Sequence, residues 1–432
     1  MQEKEEVNTV HDFTSKLLQP SLLPRLKEYV QWQSNIRSNS ENSHNTPNRS
    51  PLSINLDLTT GCNYACDHCV DWDILNLPIK FNHEELLDSL DLMYKNGLKS
   101  AILIGGGEPT LYSKFENIVE YLKERNIQVA VVSNGTGMHK IDKVADLFTE
   151  KDWARLSLDS GTDKTFQAMH KPKKPITLEK ICQDVAEVKS RHPNIIIGFS
   201  YIVTWENAYA DGRPIVSNIG EIIQAAKLAR DHNFDYVSIK PFLERSFDNS
   251  AEIIEINQPF EEYKKTINRI IENIQEAKKF ETPRFKIRES TNLKALENGT
   301  MEDYTKQPKN CHMTFFRQVL SPLGAFICPV YRNVGKASIG NKNAYSTEEN
   351  YQKTKNETFR LIQDFNAAHE CRKVTCLYNS VNWFIEDLIR NPDKLDKLIP
   401  VQENEDYFFW RIKTNKNLLF YCLQWSKLQK EM

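Results

Sequence analysis

Three cysteines stand at Cys62, Cys66 and Cys69 in TTGCNYACDHC, a Cys-x3-Cys-x2-Cys spacing. Thiolates hold iron–sulfur clusters, and a fully ligated four-iron cubane takes four of them. Three thiolates leave one iron open to an exchangeable ligand. Such an iron can bind and polarise a small molecule, or pass it an electron. A structural zinc ion takes four ligands, usually from paired Cys-x2-Cys elements. His68 is the nearest fourth donor, but it adjoins Cys69, and adjacent residues rarely serve one tetrahedral ion. Three core cysteines without a ligand explain this spacing poorly.

A second group follows far along the chain: Cys311-x16-Cys328, then Cys371-x4-Cys376. Four thiolates suffice to close a cluster. A structural zinc ion on the same four is the alternative, with His312 and His369 as spare donors. Cys182 and Cys422 lie in apolar helical patterns and read as packing residues, with a hydrogen-atom donor role as the functional alternative. Nine cysteines, an odd number, behind an N-terminus with no apolar leader argue against a disulfide framework.

The elements that must position these residues alternate. Short apolar runs predict strands at Ile54–Leu58, Ala101–Ile104, Gln128–Val132, Ala154–Leu158, Ile195–Val203 and Tyr236–Ile239. Helical patterns fall between them at Glu84–Asn96, Lys114–Glu124, Ile141–Phe148, Leu178–Arg191 and Ile219–His232. Alternating strand and helix is the signature of a parallel α/β domain. The strands end in TTGC, GGGEPT, SNGT, LDSGT, TWEN and KPF, so the unusual residues gather on one rim. Loops at the carboxyl ends of barrel strands build active sites.

Within those loops, Gly105, Gly106 and Gly107 allow close backbone approach to a ligand, or merely a tight turn. Ser133, Asn134, Ser157, Asp159 and Ser160 offer hydroxyls, an amide and a carboxylate suited to ribose or a carboxylate, or to turns and caps. Lys240 ends the sixth strand and is a substrate-facing candidate for catalysis; a snorkelling surface lysine is the alternative.

Cys62–Cys69, the GGGEPT loop and the six-fold alternation resemble the radical S-adenosylmethionine (SAM) superfamily, over about Ile54 to Phe242. The resemblance implies a partial (β/α)6 TIM-type barrel. It implies a 4Fe–4S cluster on Cys62, Cys66 and Cys69 whose open iron chelates SAM. His68 stands where that family usually places an aromatic beside the adenine. Gly105, Gly106, Gly107 and Glu108 match its loop for the methionine ammonium. Asn134, Ser157 and Asp159 resemble further cofactor positions, and Thr204 and Asn207 resemble a V-T-x-x-N ending; the Gly-x-Ile-x-Gly-x-x-Glu form is absent. The second cysteine group resembles a twitch/SPASM-like auxiliary-cluster domain holding another 4Fe–4S cluster on Cys311, Cys328, Cys371 and Cys376. In GAFIC the Gly-to-Cys spacing is one shorter than the commonest form, and the seven cysteines needed for two auxiliary clusters are not present.

The resemblance implies reductive cleavage of SAM to a 5′-deoxyadenosyl radical that abstracts a substrate hydrogen. A flavodoxin or ferredoxin would supply the electron. Dehydrogenation or epimerisation of a small carbohydrate-like molecule is the leading expectation. A peptide-modifying maturase is the alternative, and a non-catalytic iron–sulfur or electron-transfer protein is the alternative from another class.

The expected organisation is an N-terminal helical segment (1–36), a Ser/Asn-rich linker (37–51), the barrel with a helical extension (52–300), the auxiliary domain (301–380) and C-terminal helices (381–432). The net charge is −2, and no basic arm points to nucleic acid. No apolar stretch is long enough for a bilayer, so a cytoplasmic protein without membrane partners is expected.

Overall fold

The computed structural model describes residues 13–39, 46–210, 212–245, 252–253 and 259–401. Cys422, the middle of the expected linker and most of the C-terminal helical pattern lie outside these residues.

Ten strands form one sheet: β1 (Ser53–Leu56), β2 (Ser100–Leu103), β3 (Gln128–Ser133), β4 (Trp153–Ser157), β5 (Ile197–Val203), β6 (Tyr236–Pro241), β7 (Lys286–Glu289), β8 (Arg317–Ser321), β9 (Gly324–Phe326) and β10 (Ser338–Gly340). The spatial order is β7-β6-β5-β4-β3-β2-β1-β8-β9-β10. Pairing is parallel from β7 through β8 and antiparallel at β8–β9 and β9–β10. This is the partial (β/α)6 barrel of the sequence analysis, enlarged at both edges. The six expected strands are all present, shifted by one or two residues at their ends. β7 and β8 are additions. KIRE and RQVLS carry too many polar residues to read as buried runs.

The helices follow from amphipathic spacing and local caps. In α1 (His83–Lys95), Leu86, Leu90 and Met93 fall on one face and are buried. The Asn82 side chain accepts from the backbone N–H of Glu84 at 2.9 Å, satisfying an orphan donor of the first turn. In α2 (Leu178–Arg191), Ile181, Cys182, Val185 and Val188 face the sheet, and Thr177 caps the start. Cys182 is wholly buried there, the packing role expected of it.

Along the central strands alternate residues are buried against helices or partly exposed to the concave side. On β4, Ala154 and Leu156 are buried, while Trp153, Arg155 and Ser157 are partly exposed. The concave side therefore presents every second residue of each strand. Gly198 on β5 lies opposite Tyr236, and a Cβ there would come within 2.1 Å of the tyrosine ring. Gly198→Ala is expected to cost about 1–3 kcal/mol by overpacking. Urea denaturation checks this; an unchanged midpoint would mean the ring moves aside freely.

The second region is not separated from the sheet. β8 pairs with β1 in parallel, Ser53 opposite Arg317, so one sheet crosses the expected boundary near residue 300. Against it lies α3 (Glu348–Asp364), which the sequence pattern did not reveal. Its buried face includes Thr354 and Thr358 beside Phe359, Leu361 and Ile362, so apolar periodicity is weak there. The N-terminal helix Leu23–Arg37 docks on this region too. Tyr29 stacks on Phe315 at 4.6 Å between ring centres, and the Arg37 guanidinium binds both oxygens of Glu386 at 2.9 and 2.7 Å. Among the described residues, no helix is long and apolar enough to cross a membrane.

Candidate active site

The three-cysteine loop leaves β1 at Asp57 and is closed on itself. Asn76 donates its N–H to the Thr60 carbonyl at 2.7 Å, and the Thr60 hydroxyl donates to the Leu77 carbonyl at 2.7 Å. Inside this clasp the Cys62 N–H donates to the Asn76 side chain at 3.0 Å. Burial holds the thiols of Cys62 and Cys66 above their ordinary value and pushes Cys69 up to about 12. The other two sulfurs add to this at Cys66, so the three converge closely enough to repel as thiolates. A cationic cluster would supply the missing charge and displace the protons.

The glycine loop after β2 packs directly on the cysteine loop. The Glu108 N–H donates to the Gly61 carbonyl at 2.8 Å, and a Cβ on Gly107 would fall 2.3 Å from that same oxygen. Gly105 and Gly106 have φ of +70° and +64°, which side chains resist. Close backbone approach is thus real here, toward the cysteine loop.

Several of the residues expected at the cofactor also bond to the scaffold. The Glu108 carboxylate, 3% exposed, accepts from the Thr110 N–H and hydroxyl, the Ser133 hydroxyl and the Asn134 N–H at 2.6–3.0 Å. It locks β2 to β3. The Asn134 side chain bridges Asn63 and Thr136. The Thr204 hydroxyl donates to the Val216 carbonyl at 2.6 Å, and Asn207 sits exposed in a left-handed turn with φ of +64°. Ser157 and Lys240 do face the concave side, both partly exposed.

His68 and Asp159 come together beneath the cysteines. The Asp159 carboxylate is fully buried, 3.1 Å from His68 Nε2 and 3.4 Å from His170 Nε2, and accepts from the Ile202 N–H at 2.7 Å. These contacts hold it below the ordinary carboxylate range despite burial. His170 reaches on to Cys66, with Nδ1 3.2 Å from the sulfur. Sequence reasoning missed His170, and also Asn218, whose amide donates to the Asp159 and Ile202 carbonyls at 2.7 and 2.8 Å. Neither carries a motif; each is found only through its neighbours.

The second cysteine group also converges. Burial pushes Cys371 up to about 12 and holds Cys376 well above its ordinary value, with Cys311, Cys328 and Cys371 each adding to the rise at Cys376. Polar groups attend the sulfurs: the Tyr378 N–H lies 3.4 Å from Cys376 Sγ and the Asn382 amide 3.8 Å from Cys311 Sγ. His312 is not a spare donor. Its Nδ1 meets the Tyr29 hydroxyl at 2.9 Å and its Nε2 meets Glu386 at 3.0 Å.

One arginine joins the two regions. Arg332, four residues after Cys328, contacts Asp57 at 2.6 Å and Asp71 at 2.7 Å, all three buried. The other oxygen of Asp71 accepts from the Gly106 N–H at 3.3 Å. Arg332 also fills the space beside Gly105, where a Cβ would lie 2.6 Å from its Nη2. Glycine loop, cysteine loop and second cysteine region therefore meet at one guanidinium.

Residues 56–206, which hold both loops, match the model of the Radical SAM superfamily. This segment is a radical SAM superfamily domain. The family binds a 4Fe–4S cluster and SAM, and the donors here fit that pair: three converging sulfurs beside a backbone-lined loop. An S-adenosylmethionine-dependent nucleotide dehydratase of Selenomonas ruminantium is 26% identical over 206 residues, covering 46% of this chain and 70% of that protein. One from a Thermoplasmatales archaeon is 28% identical, covering 41% of this chain and 62% of its own length. Mycofactocin maturase MftC of Mycolicibacterium smegmatis is 27% identical over 121 residues, 28% of this chain and 30% of the maturase. Among solved structures, Streptococcus suis SuiB aligns with a TM-score of 0.50 at 14% identity over 71% of this chain and 66% of its own, a likeness of fold.

Proposed function

We propose that this radical SAM chain binds a 4Fe–4S cluster on Cys62, Cys66 and Cys69 and a second on Cys311, Cys328, Cys371 and Cys376, and dehydrogenates or epimerises a small carbohydrate-like substrate. The observation that carries this reading is the meeting of the glycine loop, the three-cysteine loop and the second cysteine region at Arg332. When bound, the first cluster and SAM supply a 5′-deoxyadenosyl radical able to take hydrogen from an unactivated C–H bond.

The chain's own residues orient, exclude water and tune. Gly105–Gly107 hold the cofactor-side backbone against the cysteine loop. Glu108 fixes that loop to β3. The buried pair of His68 and Asp159 keeps the cluster side of the barrel dry and in register with β4. Lys240 faces the concave side as the candidate group nearest substrate chemistry. A reduced flavodoxin or ferredoxin is the proposed electron donor.

The longer match to proteins named for nucleotides, which contain a sugar, supports a small polar substrate over a peptide. So does the commitment of Leu23–Arg37 to packing on the second cysteine region.

The test is production of 5′-deoxyadenosine from SAM by the anaerobically reconstituted, reduced chain. No product would favour a non-catalytic iron–sulfur protein. Cys371→Ala is expected to retain this uncoupled cleavage while iron falls from about eight to about four per chain. Retention of all the iron would remove the second cluster from the proposal.

A further inference from the structure

We propose that the concave side of the barrel holds an oxyanion site for the substrate, formed by Arg155, Lys240 and the serines Ser157, Ser200 and Ser238 between them. The inference rests on the function proposed above and deepens it: the substrate carries a phosphate or carboxylate group.

Strand register builds the site. Ser157 of β4 pairs with Ser200 of β5, and Ser200 with Ser238 of β6, so three hydroxyl-bearing positions form one row across three adjacent strands. Arg155 is one pleat below this row on β4, and Lys240 one pleat above on β6. All five share the parity that faces the concave side. Gly198 lies between Arg155 and Tyr236 in the row below, and the Tyr236 ring packs over it. Lys240 leans back across the row, its Nζ 3.3 Å from Ser200 Oγ.

The cations have no acid of their own. Among the described residues, neither Arg155 nor Lys240 has a carboxylate within 4.0 Å, whereas the neighbouring Lys189 is paired with Asp235 at 2.9 Å. The Nε of Arg155 is buried without a hydrogen-bond partner, and its guanidinium rests over the Trp153 ring at 5.1 Å. The acid in their field is Asp159, whose oxygens are already taken by His68, His170 and the Ile202 N–H. Burial first, then repulsion from Arg155, holds the Lys240 ammonium well below its ordinary value. Two basic side chains facing the concave side, with serine hydroxyls between them and no paired carboxylate among the described residues, suit an anion, whose charge would favour the protonated lysine. The Arg fork and Lys point charge both suit phosphate or carboxylate oxygens.

The experiment is calorimetric titration of the reconstituted holoenzyme, with SAM present, using inorganic phosphate, pyrophosphate and acetate. Binding of at least one is expected, and the ranking separates phosphate from carboxylate recognition. Lys240→Met and Arg155→Gln should each weaken that binding at least tenfold, with SAM affinity within twofold of wild type. Lys240→Arg and Arg155→Lys should retain most of it, which guards against a folding artefact. Undiminished anion binding in the Met and Gln variants overturns the site. A tenfold loss of SAM affinity in them also overturns it, because the occupant is then the cofactor's own carboxylate. Wild type that binds SAM but none of the anions sinks this site alone. Wild type that binds neither sinks the proposed function with it.

Discussion

Cys66→Ala will reduce 5′-deoxyadenosine formation below detection and remove about four of about eight irons per chain. Two sulfurs cannot hold a cubane against exchange. His170 Nδ1, 3.2 Å from the Cys66 sulfur, loses that partner, while its Nε2 stays tied to the Leu158 carbonyl at 3.1 Å and Asp159 at 3.4 Å. Cys66 packs at the edge of the core, and its thiol is held protonated by burial, so the alanine should leave the apo fold intact. The readouts are product by chromatography, iron by chemical analysis, and urea stability of the apo form. Cys182→Ala, on a helix away from both groups, serves as the control and should keep its iron. Undiminished cleavage in Cys66→Ala would remove the first cluster assignment.

Arg332→Met is expected to destabilise the apo chain by about 3–5 kcal/mol, the usual cost of breaking a buried ion pair from one side. Methionine keeps much of the volume but leaves Asp57 and Asp71 facing each other without a cation. The loss has a predictable pH dependence. Burial pushes the Asp57 carboxyl up to about 7, against the pull of Arg332. An acid whose folded pKa is raised keeps its proton while the unfolded chain has lost it, so stability falls as pH rises between about 4 and about 7. Removing the guanidinium pushes Asp57 higher still and extends that fall upward. The deficit of the variant should therefore be larger near pH 8 than near pH 6. Urea midpoints at the two pH values measure it. A loss below about 1 kcal/mol at both would mean that water replaces the guanidinium and that Arg332 is no keystone.

The barrel was legible in the sequence because its strands are buried on one side and carry a run of apolar residues. β5 and the helix Leu178–Arg191 end within two residues of expectation for that reason. The motif Cys62–Cys69 was readable because spacing within a loop is local, whereas the second group, spread from Cys311 to Cys376, was read through its resemblance. What escaped was non-local. Asp57, Asp71 and Arg332 meet through two loops more than 250 residues apart in the chain, and no pattern in either segment signals the other. Glu108 and Asp159 were legible as charged residues on the active rim, but not as residues whose oxygens are consumed by the scaffold. Arg155 was hidden inside an apolar strand, where its long side chain interrupts WARLS without altering the period. β8 and α3 were hidden by polar residues that tertiary packing buries.

The pairing of β1 with β8 also shapes how the chain must be made. Ser53 finds its partner Arg317 only after 264 further residues have been synthesised. At ~5–20 residues per second, that is an interval of tens of seconds on the ribosome. During that time one flank of β1 has no neighbour, and an unpaired strand flank is a template for pairing with other chains. Completion of the sheet is thus a late, long-range event, of the kind that slows folding and rewards chaperone protection or low expression temperature.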